Sequence, residues 1–365
     1  MSDVFIIGAG CSVPYGFPTG AMLMQKLKDF DYKDRVEYTA QLLLDRLYLF
    51  DLYPEHLHIT FDGYKEKARQ IDGYDRRLNS EKQTINNIIS SIVKDFAKSI
   101  RHSMMVSTDE FLKNRLNQEK LVEADFGKRL IAREILMAEK ESENSYIRGG
   151  EGKKKERWLG NIDWIQHFLS RIDQQQDKWK EILKQTVFLT FNYDRVLEYC
   201  FFLYLTSDKQ YADADAHAFI NEMQIHHVNG FIGPLEEIPF GVVENGKYQE
   251  IAGRMATVWE KRQNRDESEK EKYQGFLKNA QRVYFMGFSY IPDNLYSIGI
   301  NRGAQIIQNA KVYATAMGLS PQNRLRISSY LDLDDFENGK RTHIENRILK
   351  DASAVDLILD YYTFS

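Results

Sequence analysis

The strongest constraint on how this chain can fold lies at its start. Val4-Phe5-Ile6-Ile7 is a short apolar run rich in β-branched residues, and it ends at Gly8. Such a run reads as a strand buried on both faces, as strands of parallel sheets are. Gly8-Ala9-Gly10-Cys11-Ser12 follows as a small-residue turn, with Gly16-Phe17-Pro18 behind it. Thr19 then precedes a helical pattern from Ala21 to Leu27, in the place of an N-cap. Glycines let a backbone pass close to a pyrophosphate, and a helix N-terminus behind them favours anions. The turn lacks the full spacing of the common dinucleotide fingerprint, so alone it also reads as an ordinary strand-to-helix turn.

Further strands are expected at Thr186-Val187-Phe188-Leu189-Thr190, at Gln224 to Val228, at Arg282-Val283-Tyr284-Phe285-Met286 and at Lys311-Val312-Tyr313-Ala314-Thr315. Helical patterns separate them. That alternation predicts an α/β fold with a doubly wound, mostly parallel sheet. Ligands of such sheets bind beyond the carboxyl ends of the strands, so polar groups following these strands should converge on one crevice. Between Asp29 and Lys184 the chain is charged and mostly helical in pattern. Gln83 to Ile100 carries Ile85, Ile88, Ile89, Ile92, Val93 and Phe96 at helical spacing, and Phe126 to Met137 carries Leu130, Ile131, Ile135 and Leu136. Glu139 to Glu156, with Gly149-Gly150 and Lys153-Lys154-Lys155, reads as an exposed loop whose lysines form a solvated face. The reading is one domain over 1–365 with a large helical insertion at 29–184.

Composition narrows the function classes. The 365 residues are 43% hydrophobic, enough for a large core, and 49 basic against 53 acidic residues leave a net charge of -4. No basic excess calls for a nucleic-acid partner. The two cysteines, Cys11 and Cys200, exclude a disulfide framework and a four-cysteine zinc site. The start has no basic n-region or long apolar run, and no stretch approaches the ~18–20 apolar residues of a membrane span. A cytoplasmic setting is the expectation.

Three later motifs stand behind strands. Thr190-Phe191-Asn192-Tyr193-Asp194 puts an amide and a carboxylate two residues apart, suited to ribose hydroxyls or a water; turn chemistry alone also explains it. Ile225-His226-His227-Val228-Asn229-Gly230 offers a histidine able to take a proton near neutral pH. No spaced cysteine or carboxylate supports a metal reading of that pair. Gly287-Phe288-Ser289-Tyr290 repeats the glycine-serine turn after a strand, and a plain βα loop reads the same way.

In this order the four motifs resemble the sirtuin (silent-information-regulator) catalytic domain, a Rossmann-like fold. The matching residues are Gly8, Ala9, Gly10 and Ser12, then Gly16 and Pro18, then Thr190, Asn192 and Asp194, then the histidine region, then Gly287 and Ser289. The chain is most similar to the sirtuin-like branch of bacterial anti-phage defence, whose helical insert carries a segment like Ser107-Thr108-Asp109-Glu110-Phe111-Leu112. Two departures stand out. Deacylase sirtuins hold a four-cysteine zinc ribbon, absent here, which turns the expectation from protein deacylation to simple NAD cleavage without zinc. The position before Gly230, where sirtuins place their catalytic histidine, is Asn229. His227 lies two residues earlier, on the same strand face, while His226 faces the other side.

The resemblance implies an NAD glycohydrolase that releases nicotinamide and ADP-ribose and serves abortive infection by depleting NAD. The leaving group is already cationic, so no general acid is needed, and the transition state is oxocarbenium-like. Asn192 would hold a water or the ribose, Asp194 would fix the ribose or nicotinamide end, and His227 would act as base. Gly8, Ala9, Gly10, Ser12, Gly287 and Ser289 would cradle phosphates and the adenosine ribose, with Pro18 and Thr19 supporting the opening loop. Three rivals stay open: a sensor that binds NAD or ADP-ribose without chemistry, an ADP-ribosyltransferase or deacylase, and a doubly wound domain for some other nucleotide; hydrolysis and cyclisation of ADP-ribose are not separated. The family also implies homo-oligomers and a partner such as a HerA-type ATPase or a short Argonaute.

Overall fold

A computed structural model describes residues 2–29, 91–142, 163–243, 247–256, 267–301, 305–334 and 347–364. Six strands form one sheet: β1 (Ser2–Ile7), β2 (Val187–Thr190), β3 (Gln224–His227), β4 (Ala280–Met286), β5 (Lys311–Thr315) and β6 (Arg347–Lys350). Their order is β3-β2-β1-β4-β5-β6, and every neighbouring pair is parallel. This is the doubly wound order of Rossmann-like sheets, with its switch point between β1 and β4. The five expected strands are present. β6 is an addition: it has only four residues, Arg-Ile-Leu-Lys, and only alternate ones are buried, so it lacks the apolar run that marks the others.

Alternation along the strands builds two different faces. On one, Phe188, Phe5, Tyr284 and Tyr313 stand in register across β2, β1, β4 and β5. Their ring centroids are 5.3, 4.7 and 5.3 Å apart, so four strands share one aromatic ladder. The Trp164–Asp173 and Ala354–Tyr361 helices cover it, with Phe168 and Tyr362 edge-on to Phe5. On the other face, Val4, Ile6, Leu189, Val283, Phe285 and Val312 pack against Tyr273 and Leu277 of the Glu267–Lys278 helix and Ile327 and Leu331 of the Pro321–Leu331 helix. Full burial of each such side chain contributes about 1.5–3 kcal/mol.

The chain divides into two compact units. One, with the sheet, comprises Met1–Thr19, Ile135–Val242 and Arg254–Ser365; the other comprises Gly20–Glu134 and Val243–Gly253. The stretch 29–184 therefore contributes to both. In the second unit, Val93, Phe96 and Ile100 of a helix at 91–101 are buried, with Phe96 edge-on to Phe111 and Phe126 at 5.7 and 5.0 Å. Ile85, Ile88 and Ile89 lie outside the described residues. Ser107 caps the Thr108–Asn117 helix by accepting from Glu110 N at 3.3 Å, and Phe111 and Leu112 behind it are buried.

One loop expectation is corrected. Glu139 to Ser142 is the last turn of the Leu121–Ser142 helix, not an exposed loop, and Glu139 and Ser142 are fully buried. The residues 143–156 of that expected loop lie outside the described residues. Among the described residues no helix is long and apolar enough to cross a membrane.

Candidate functional site

The two glycine turns meet at the switch point. Gly8 N–H donates to Met286 O and Gly10 N–H to Gly287 O, both at 3.0 Å. Gly287 has a φ of +54°, and a methyl group there would stand 2.4 Å from Cys11 N. Here glycine serves the approach of one loop backbone to another, and four of the turn's amides, those of Gly8, Gly10, Cys11 and Ser12, donate within the fold. The chain then makes two 3₁₀ turns, Ala9–Cys11 and Val13–Tyr15, and the helix expected from Ala21 after Thr19 begins at Gly20. Gly10 and Ser289 are exposed, Ala9, Thr19 and Gly287 are half-buried, and Pro18 is buried.

β2 ends at Thr190, whose Oγ1 accepts from Asn192 N at 3.2 Å. Asn192 Nδ2 donates to Gly8 O at 3.2 Å and to Ser12 Oγ at 2.9 Å, which ties the β2 loop to the opening turn. Asn192 Oδ1 is buried and has no partner. Asp194 accepts from Val196 N at 3.2 Å, at the start of the Val196–Leu203 helix, and bonds to the Ser12 hydroxyl. Burial dominates its titration and raises its pKa to about 7; the Ser12 and Val196 bonds oppose that, and the charges of Glu139 and Glu198 add to it.

Arg195, between them, points elsewhere. It makes a forked pair with Glu139 at 3.1 and 2.6 Å and donates to the carbonyls of Gly233, Pro234 and Ile238. Both charges are fully buried. Burial pushes the Glu139 carboxyl up, and the Arg195 charge pulls it back.

His227 is the last residue of β3. Its Nδ1 lies 2.9 Å from Asn192 O, a carbonyl that can only accept, so Nδ1 carries a hydrogen. Its Nε2 lies 2.5 Å from Glu198 Oε1, and its ring stacks on Phe231 at 4.3 Å. Burial disfavours the charged ring, but the Glu198 carboxylate outweighs it and the net shift is upward. His226 faces the other side and stacks on Phe276 at 5.2 Å; burial first, then Lys272 and His227, lower its pKa to about 4. Asn229 is buried, its Nδ2 3.5 Å from Phe191 O and its carbonyl accepting from Ala256 N.

Ser12, Asn192, Asp194, Glu198 and His227 line one cavity, together with Trp164 and other apolar neighbours, with room for about one water molecule. Gly8, Ala9, Gly10, Pro18, Thr19, Asn229, Gly287 and Ser289 are not on its wall. Glu198 is the residue that sequence reasoning missed. Its one signal is a lone carboxylate in the apolar run Val196-Leu197-Glu198-Tyr199-Cys200-Phe201-Phe202-Leu203, in the first turn of the helix that follows Asp194. A larger groove of about 870 Å³ lies beside Tyr15, Asp163, Cys200, Tyr204 and Asp213, and shares Ile165 with the cavity. Among the described residues no group of three or more His, Cys, Asp or Glu is arranged to hold a metal ion. No protein-family model matches the chain, and a search of curated proteins found no match.

Proposed function

We propose that this chain is a sirtuin-like NAD glycohydrolase with a large helical insertion, which cleaves NAD to nicotinamide and ADP-ribose in anti-phage defence. One observation carries the reading: Asn192, Asp194 and His227, from two different strand ends, share a single cavity with Ser12 of the opening turn. Beyond the carboxyl ends of strands beside the switch point is where a doubly wound sheet receives a dinucleotide. The chemistry suits the donor set. Expelling a cationic leaving group needs no acid, and an oxocarbenium-like transition state gains from nearby carboxylates and a held water.

A cavity with room for one water does not admit a nicotinamide riboside. The reading therefore requires the cavity to open, and we assign the closed form to an enzyme held off until triggered. In the same reading the enzyme forms homo-oligomers and works with a HerA-type ATPase or a short Argonaute. The test is nicotinamide release by the purified full chain, alone and with an extract of phage-infected cells. Asn192→Ala and His227→Ala are each expected to lower it at least 100-fold with circular dichroism unchanged. Full activity in both variants overturns the assignment.

A second reading is a module that binds NAD or ADP-ribose and signals without chemistry. Measurable binding with NAD recovered intact from the triggered protein selects that reading.

A further inference from the structure

Two acceptors in the cavity stand without a partner, Asn192 Oδ1 and Glu198 Oε2. Both residues are more than nine-tenths buried, at 7% and 8% exposed. A buried orphan acceptor is costly, so two on one small cavity imply a ligand that satisfies them. Two acceptors call for a ligand with two hydrogens to donate, and the space is that of about one water. A water giving one hydrogen to each oxygen keeps its lone pairs turned away from both, toward whatever electrophile enters.

His227 is not free to hold or deprotonate that water. Its Nδ1 hydrogen is committed to Asn192 O and its Nε2 to Glu198 Oε1. The ring instead ties the backbone of one water ligand to the carboxylate of the other. Glu198, on the cavity wall, then has one oxygen held by the ring and the other, Oε2, without a partner.

We propose that this cavity is the nucleophile site, that Asn192 Oδ1 and Glu198 Oε2 hold the attacking water there, and that Glu198 takes its proton while His227 positions Glu198. This rests on the NAD-cleavage reading and names the group that reading lacked. The bond from ribose C1′ to the nicotinamide nitrogen breaks, and its electron pair neutralises the cationic ring. The water oxygen forms the new bond to C1′, one O–H bond breaks, and that proton goes to Glu198 Oε2. The products are nicotinamide, ADP-ribose and one proton, with no oxidant or reductant involved. A carboxylate is a sufficient base because the attacked carbon is already oxocarbenium-like, as in glycoside hydrolysis.

The experiment uses the full chain with NAD, with and without the infected-cell extract, and measures nicotinamide release and ADP-ribose binding. Glu198→Gln is expected to bind ADP-ribose as the wild type does and to lose at least 100-fold in kcat, with Glu198→Asp recovering part. Azide needs no proton removed, so added azide is expected to restore nicotinamide release to Glu198→Ala and to form an ADP-ribosyl azide. A purely structural Glu198 gives no such rescue. Full activity in Glu198→Gln, or an inactive Glu198→Ala that binds ADP-ribose yet is not rescued, overturns the Glu198 assignment alone. A triggered wild type that binds NAD and releases no nicotinamide overturns the NAD-cleavage reading and this step with it.

Discussion

At Gly287 two constraints coincide: a φ of +54° and a neighbouring backbone nitrogen 2.4 Å from where a Cβ would stand. Neither can be relieved by rotating a side chain. Gly287→Ala is therefore expected to destabilise the sheet unit by about 3 kcal/mol or more, read as a lower denaturant midpoint. A midpoint within experimental scatter of the wild type shows that the two turns can separate freely. At this scale the sequence was partly legible. Asn192, Asp194 and His227 stood out because their motifs follow one another in order at strand ends, although turn chemistry alone explains the first two. Strand alternation separated His227 from His226 and left His227 and Asn229 on one face, and the cavity wall includes His227 and not Asn229. Glu198 was hidden for a physical reason. Its meaning depends on a histidine 29 residues away, and a single carboxylate in a helix is ordinarily a solvated one.

Elements were legible in proportion to how completely they are buried. β1, β2, β4 and β5 carry unbroken apolar stretches, whereas β3 reads Gln-Ile-His-His and is half-exposed throughout. β6 also lacks such a stretch. The last turn of the Leu121–Ser142 helix was misread for a related reason: Glu139 looks solvated until Arg195, 56 residues on, closes over it. That pair also braces the loop that carries Asn192 and Asp194. Arg195→Met would leave the Glu139 charge buried without its partner and the Gly233 and Ile238 carbonyls without the Arg195 donor, while Pro234 O keeps its bonds from Glu237 N and Ile238 N. The expected loss is about 3–5 kcal/mol, measured by urea unfolding. Adding Glu139→Leu removes the stranded charge but not the orphaned carbonyls, so the double variant should recover only part. Full recovery would mean that the carbonyls find other donors.

For the molecule as a whole, the aromatic ladder and the aliphatic face supply the stability from which a polar cavity at the strand ends is maintained. That cavity makes folding sensitive to pH in one direction. The Asp194 carboxyl has its pKa raised by burial from 3.8 to about 7. Between those values the folded state holds a proton that the unfolded chain has lost, so stability falls as pH rises. The contribution is fully present below about pH 4 and is lost as pH passes through about 7. His227 acts with the same sign. Its folded pKa lies above the ordinary 6.5, so its share is complete below 6.5 and is lost as pH rises through the raised value. The two add, and the urea midpoint of the sheet unit should drop from about pH 5 to about pH 8. Asp194→Asn cannot ionise, so it should flatten the part of that slope below pH 7 and leave the part due to His227. Glu198→Gln removes the carboxylate that favours the charged ring and should flatten the upper part. Identical slopes in wild type and Asp194→Asn would mean that Asp194 ionises in its ordinary range, with the Ser12 and Val196 bonds outweighing burial.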